Sequence, residues 1–158
     1  MNISLVPIKI SEKDVLKEML YEYEKEMSDG EPGEYKYLDS YWQKPDRFPF
    51  FIEVDEKIAG FVLVNSYNLV IDEGKNIAEF YVEKEFRKNG IGREASRQIF
   101  NLFPGKWEIR QIIENPKARL YWLKLMTEFT KNNFTEKFVD NDKWHGWIQV
   151  FNMNGNKF

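Results

Sequence analysis

EFRKNGIGREASRQIF occupies residues 85–100. Gly90 and Gly92 stand among three basic residues, Arg87, Lys88 and Arg93. From Ile91 onward, Ile91, Ala95, Ile99, Leu102 and Phe103 fall on one helical stripe, and Pro104 and Gly105 end it, which predicts a helix over residues 90–103. A helix N-terminus presents unpaired backbone N–H groups and a partial positive charge. Glycine lets the backbone come close to a ligand with no Cβ in the way. With full basic charges beside them, these features make the stretch an anion site on physical grounds.

Working outward, ISLVPIKI reads as a first strand. Ser11 opens SEKD, a capping-box pattern with Asp14 at its far end. Val15, Leu16, Met19, Leu20, Tyr23 and Met27 then recur at helical spacing, until SDGEPG, with Gly30, Pro32 and Gly33, breaks the pattern. EYKYLDSYWQK reads as a short helix or an ordered loop. FPFFIEV and KIAGFVLVNS are two strands joined by a tight turn at Asp55–Lys57. A further turn at Asp72–Lys75 leads to the strand IAEFYV. After the glycine helix, WEIRQII is a strand, Asn115 is an N-cap, and Pro116 takes the first helical position. Ala118, Trp122, Leu125 and Phe129 mark that helix's apolar face, and FTEKFV and HGWIQVF are the last strands. The order is β-α-α-β-β-β-α-β-α-β-β, a mixed α/β domain over residues 1–158 with no repeat or linker.

Composition narrows the function. A chain of 158 residues suits one domain with a real core. A net charge of −3 argues against general nucleic-acid binding, so any anion site must be local. The absence of cysteine excludes disulfides, a thiol nucleophile and thiolate zinc sites, and with one histidine and no carboxylate–histidine cluster no metal site is expected. The start MNISLVPIKISEKD turns polar too soon for a signal peptide, and IAGFVLV is far short of a membrane span. A soluble, cytoplasmic protein is expected, with neither membrane nor nucleic acid as partner.

Three phosphate ligands compete for the glycine stretch. A P-loop needs G-x-x-x-x-G-K-[ST], which does not occur. Gly90, Gly92 and Ala95 satisfy a dinucleotide spacing, but in that motif the strand runs almost directly into the first glycine. Here EKEFRKN separates Val82 from Gly90, and the site lies past the middle of the chain, leaving little room for a doubly wound domain. The third ligand, coenzyme A, carries a pyrophosphate and an amide-bearing arm that can pair with a strand edge like an added peptide. That ligand accounts for a strand, a basic loop and a helix in this order.

The combination resembles the acetyl-CoA motif of the GNAT N-acetyltransferase superfamily: a strand ending in Val, then Arg or Gln-x-x-Gly-x-Gly or Ala, then a helix. Val82, Arg87, Gly90 and Gly92 match it. A second family motif, Asn-x-x-Ala-x-x-(Phe/Leu)-Tyr, is matched by Asn115 and Ala118, followed by Tyr121 and Trp122. IAGFVLV is similar to the family's central strand. The resemblance runs from about Ile3 to Phe151. It implies a mixed sheet of about six to seven strands flanked by about four helices. It also implies direct acetyl transfer from acetyl-CoA to a primary amine of a small molecule or peptide.

In that family the cofactor docks in a splay between two parallel strands, here IAEFYV and WEIRQII. The resemblance implies that Phe80, Tyr81 and Val82 hold the pantetheine. It further implies that Arg87, Lys88, Asn89, Gly90, Ile91, Gly92 and Arg93 hold the pyrophosphate, with Asn115 also at the cofactor. Glu79 is then the general base or amine contact, against a solvated strand carboxylate as the plain reading. Trp122 stands where the family has its acid tyrosine. The neighbouring Tyr121 is therefore either the general acid, displaced by about 100° around the helix, or a pocket-lining ring. Tyr37 and Tyr41 share a face if helical, and with Glu34 and Asp39 they suit a cationic acceptor as well as they suit ordinary packing. Glu108 and Arg110 alternate along their strand, either one able to face the acceptor. A non-catalytic acetyl-CoA-binding regulatory module is the alternative function, and the exposed last strand could pair with a second copy in a homodimer.

Overall fold

The computed structural model describes residues 1–28 and 31–153. Its element order is β1 (Ile3–Pro7), α1 (Lys13–Met27), α2 (Ser40–Gln43), β2 (Arg47–Val54), β3 (Lys57–Asn65), β4 (Lys75–Val82), α3 (Ile91–Leu102), β5 (Lys106–Ile112), α4 (Pro116–Thr130), β6 (Thr135–Asp140) and β7 (His145–Asn152). This is the expected succession. The strands form one seven-stranded mixed sheet in the order β1-β2-β3-β4-β5-β7-β6. By packing, the chain divides into two compact units, Met1–Val64 with Ala78–Gly92, and Asn65–Ile77 with Arg93–Phe158.

In the first unit, β1 and β2 pair antiparallel from Ile3↔Val54 to Pro7↔Phe50. Asp55 and Glu56, the turn between β2 and β3, both hold positive φ (48° and 69°), the geometry of a type I′ hairpin. Asp55 is anchored there, its carboxylate accepting from Asn2 N at 2.8 Å and its own N–H donating to Asn2 O at 2.8 Å. The run Ala59–Val64 on β3 is buried throughout, as expected of a central strand covered on both faces. Leu16, Met19 and Leu20 of α1 bury their stripe with Ile8, Leu38, Tyr41, Phe51, Phe61, Leu63 and Tyr81. A β-carbon on Gly60 would lie 2.1 Å from the Tyr81 carbonyl oxygen, so glycine there permits the close approach of β3 to β4.

The start of α1 corrects the capping-box expectation. Residues 10–12 form a 3₁₀ turn, and the Glu12 carboxylate accepts from Lys9 N at 3.1 Å. The reaching carboxylate is thus Glu12, paired with Lys9 two residues ahead of the Ser11–Asp14 pair, because the 3₁₀ turn takes up Ser11. The helix ends at Met27; Gly30, one of its expected breakers, lies outside the described residues.

In the second unit, β4 and β5 pair parallel at Lys75↔Trp107 and Asn76↔Glu108. β5 and β7 run antiparallel from Lys106↔Asn152 to Ile112↔Gly146, and β6 flanks β7. Phe100 is the hub of an aromatic core. Trp107 and Phe151 meet it edge-on with ring centres 5.0 Å away, and Trp122 and Phe129 do so at 6.3 and 6.4 Å. Asn115 caps α4 as expected, its side-chain oxygen accepting from Ala118 N at 3.1 Å. Among the described residues no helix is long and apolar enough to cross a membrane.

Candidate active site

The glycine loop has a defined shape. A 3₁₀ turn over residues 84–86 delivers the chain to Arg87, which is extended. Lys88 (φ 66°) and Gly90 (φ 75°) then take left-handed conformations just before α3 begins at Ile91. Lys88 holds this conformation against the usual Cβ penalty, about 1–2 kcal/mol for an L-residue. A β-carbon added at Gly90 would meet nothing within 4 Å. The loop is therefore open beside Gly90, as a backbone cradle must be, and Ile91 buries its side chain and seats the helix.

The charges around the loop differ from the sequence expectation. Arg87 is clasped: its Nε donates to Val82 O at 2.7 Å, its terminal nitrogen reaches both Glu26 oxygens at 2.8 and 3.0 Å, and its guanidinium lies over the Tyr81 ring at 5.5 Å. Arg93 donates from Nε to Glu128 at 3.0 Å and lies over Phe129 at 5.3 Å. Both arginines thus have carboxylate counter-charges within the chain. Lys88 forms no ion pair among the described residues. The anion capacity of the loop rests on backbone N–H groups and Lys88, more than on three basic side chains. The Asn89 amide donates to Arg87 O at 3.2 Å, bracing the turn.

Glu79 lies on β4, half-buried, two residues before Tyr81. The Tyr23 hydroxyl is hydrogen-bonded to its carboxylate, and Tyr35 faces its charge while hydrogen-bonding Tyr41. Burial, then the Glu79 charge, pushes the Tyr23 and Tyr35 hydroxyls above the ordinary tyrosine range. Tyr35 thus links the two, feeling the Glu79 charge and bonding Tyr41. Tyr37 differs from Tyr41: α2 begins only at Ser40, and Tyr37 is 59% exposed against 4% for Tyr41, its ring edge-on to Tyr35. The shared helical face expected for that pair is absent.

An open groove of about 880 Å³ runs along α1 beside Tyr81, with Glu18, Glu22, Glu26, Glu83 and Glu85 on its walls. Burial, followed by the charge of Glu85, raises the Glu83 carboxyl.

In the second unit, Trp122 is buried against Phe100 and Tyr121 stands 39% exposed, edge-on to Trp122. Burial pushes the Tyr121 hydroxyl up to about 12, against a smaller opposing effect of its hydrogen bond with Ser96. Glu108 and Arg110 have a structural task. Glu108 is fully buried and accepts from the backbone N–H groups of Leu69, Val70 and Ile71 at 2.9, 2.7 and 3.1 Å. Arg110 bonds Glu108 at 2.7 Å and reaches Tyr67 O and Asn76 Oδ1, both at 3.2 Å. The pair pins the 67–71 segment. His145 pairs with Asp140 at 2.9 Å on the surface.

The model of the acetyltransferase (GNAT) family matches residues 16–126, a span that holds Glu79, the glycine loop, Asn115 and Tyr121. The chain belongs to the GNAT acetyltransferase family. It is an N-acetyltransferase by family, and the GNAT co-substrate is acetyl-CoA. Solved structures share the fold. An acetyltransferase from Thermus thermophilus superposes with a TM-score of 0.71 at 14% identity over 96% of this chain and 97% of that chain. An aminoglycoside acetyltransferase in complex with coenzyme A and kanamycin gives 0.71 at 13% over 96% and 95%. The PaiA N-acetyltransferase from Thermoplasma acidophilum, in complex with coenzyme A, gives 0.62 at 16% over 96% and 99%. No curated protein sequence matches.

Sequence reasoning missed Tyr23 and Tyr35 at Glu79, and Glu26 at Arg87. Tyr23 sat on the apolar stripe of α1 and read as core. Glu26 is 61 residues from its partner, and no local pattern signals such a pair.

Proposed function

We propose that the chain transfers an acetyl group from acetyl-CoA to a primary amine of a small molecule or peptide, with Glu79 as base. The observation that carries this reading is Glu79 itself, a half-buried strand carboxylate bonded by the Tyr23 hydroxyl and facing Tyr35 in a chain of this family. Backbone N–H groups of residues 88–93 bind the pyrophosphate, helped by Lys88, while Arg87 and Arg93 brace the loop through Glu26 and Glu128. Backbone groups of Phe80, Tyr81 and Val82 hold the pantetheine, and Asn115 orders the start of α4 at the cofactor.

Glu79 takes a proton from the incoming ammonium, directly or through one water. The freed amine lone pair forms the new C–N bond at the thioester carbonyl, the nitrogen, cationic after attack, gives its second proton to solvent, and the C–S bond breaks with its electron pair leaving on sulfur as thiolate. Tyr121 donates a hydrogen bond to that thiolate. Its proton is held at about 12, above the roughly 8.5 of an ordinary thiol, so complete transfer before departure is uphill. Tyr121 thus assists and solvent finishes the protonation. The groove beside Tyr81, with five glutamates against Lys25 and Lys84 on its walls, suits a cationic acceptor.

The second reading, a non-catalytic acetyl-CoA-binding module, is favoured by Trp122, which fills the family's tyrosine position with a core side chain. Two measurements separate the readings. Saturating acetyl-CoA or coenzyme A should raise the melting temperature. With a panel of primary amines, acetyl-CoA should then release free thiol, and Tyr121→Phe should keep more than about a tenth of that rate. Stabilisation with no thiol release from any amine would leave the binding module; no stabilisation would remove both.

A further inference from the structure

We propose that Tyr23 is a positioning residue for Glu79: from α1 its hydroxyl holds the carboxylate in place on β4. This rests on the reading of Glu79 as base. The ring of Tyr23 is gripped from two strands, edge-on to Phe61 of β3 with centres 5.7 Å apart and to Tyr81 of β4 at 5.6 Å. Its hydroxyl reaches the Glu79 carboxylate from that fixed ring. A phenol has two side-chain torsions, and here both neighbours limit them, so the donor is pre-placed.

Two phenols interact with Glu79: Tyr23 from α1 bonds the carboxylate, and Tyr35, ahead of α2, feels its charge while bonding Tyr41. On β4 itself, two residues on, stands Tyr81, its ring covered by the Arg87 guanidinium. A donor to a carboxylate favours its charged form. Removing that donor therefore makes Glu79 hold its proton to higher pH, and a protonated Glu79 cannot take one from the amine.

The test is Tyr23→Phe, which keeps the ring and deletes the donor. Carbon-13 NMR of side-chain-labelled glutamate follows Glu79 directly, its resonance assigned by its loss in Glu79→Gln, and needs no turnover. Its titration midpoint should rise by about one pH unit in Tyr23→Phe and move far less in Tyr35→Phe. With an accepted amine, the acid limb of kcat/KM should move up with it, kcat/KM well above that limb should change little, and acetyl-CoA affinity should stay within twofold. A lower melting temperature with an unmoved NMR midpoint overturns the proposal and leaves Tyr23 as packing. Full activity and an unchanged pH profile in Glu79→Gln instead overturn Glu79 as base, whatever the midpoint in Tyr23→Phe does.

Discussion

Gly90 offers a way to separate the shape of the loop from its contact with a ligand. Its φ of 75° and the empty space around its missing β-carbon are independent properties. Gly90→Ala adds a methyl group and incurs the left-handed penalty, about 1 kcal/mol or slightly more. Gly90→Asn adds the same β-carbon but tolerates that conformation, so its penalty is roughly a few tenths. For a chain of this length, about 1 kcal/mol lowers the melting temperature by roughly 2–4 °C. Alanine should therefore melt a few degrees below wild type and asparagine close to it.

Acetyl-CoA affinity, read by calorimetry or thermal-shift titration, should instead fall at least tenfold, about 1.4 kcal/mol, in both variants. The first added atom stands in the cradle either way. If affinity follows stability, with asparagine binding like wild type, contact with the β-carbon is not what matters. If both variants bind within twofold of wild type, the pyrophosphate lies elsewhere and the loop assignment is wrong.

Two further outcomes follow from buried groups. Glu108→Ala strips three backbone N–H groups and Arg110 of their shared acceptor; removing one partner of a buried pair costs about 3–5 kcal/mol, so thermal unfolding should fall by roughly 10 °C or more. At alkaline pH, Tyr23, Tyr35 and Tyr121 all hold their protons above the ordinary tyrosine value of 10.0. Their contribution to stability is complete below that unfolded-state value and is lost as pH climbs beyond it. Melting temperature should decline above about pH 10, and Tyr23→Phe should flatten the decline.

The fold was legible because its signals are local. Val15 to Met27 mark α1 by period, Asn115–Pro116 mark the start of α4, and Asp55–Lys57 mark a hairpin. Each needs only its own few residues. The site was half legible for the same reason. Gly90 and Gly92 pointed to the loop that turns left-handed ahead of α3, and Glu79 stood out as an acid on the preceding strand. Partnership was not legible. Arg87 read as a free charge because Glu26, its partner, lies far off in sequence, and Tyr23 read as core because a periodicity reports a face and not a hydroxyl. Glu108 and Arg110 read as two residues of which either could face the acceptor, because alternation along a strand gives a side of the sheet without saying what covers it. Ser11 read as the cap because a four-residue pattern cannot register the 3₁₀ turn that displaces it.

The clasp of Arg87 on Glu26 and Val82 O has a thermodynamic consequence. The loop's two left-handed residues follow an anchored one, so the ordering entropy of the segment is spent when the chain folds and is absent when a ligand arrives. Glu26 belongs to the last turn of α1, so the integrity of that helix end and the readiness of the loop form one equilibrium. Fraying at Met27 is then felt first as slower and weaker capture of the ligand, well before it registers as a loss of global stability.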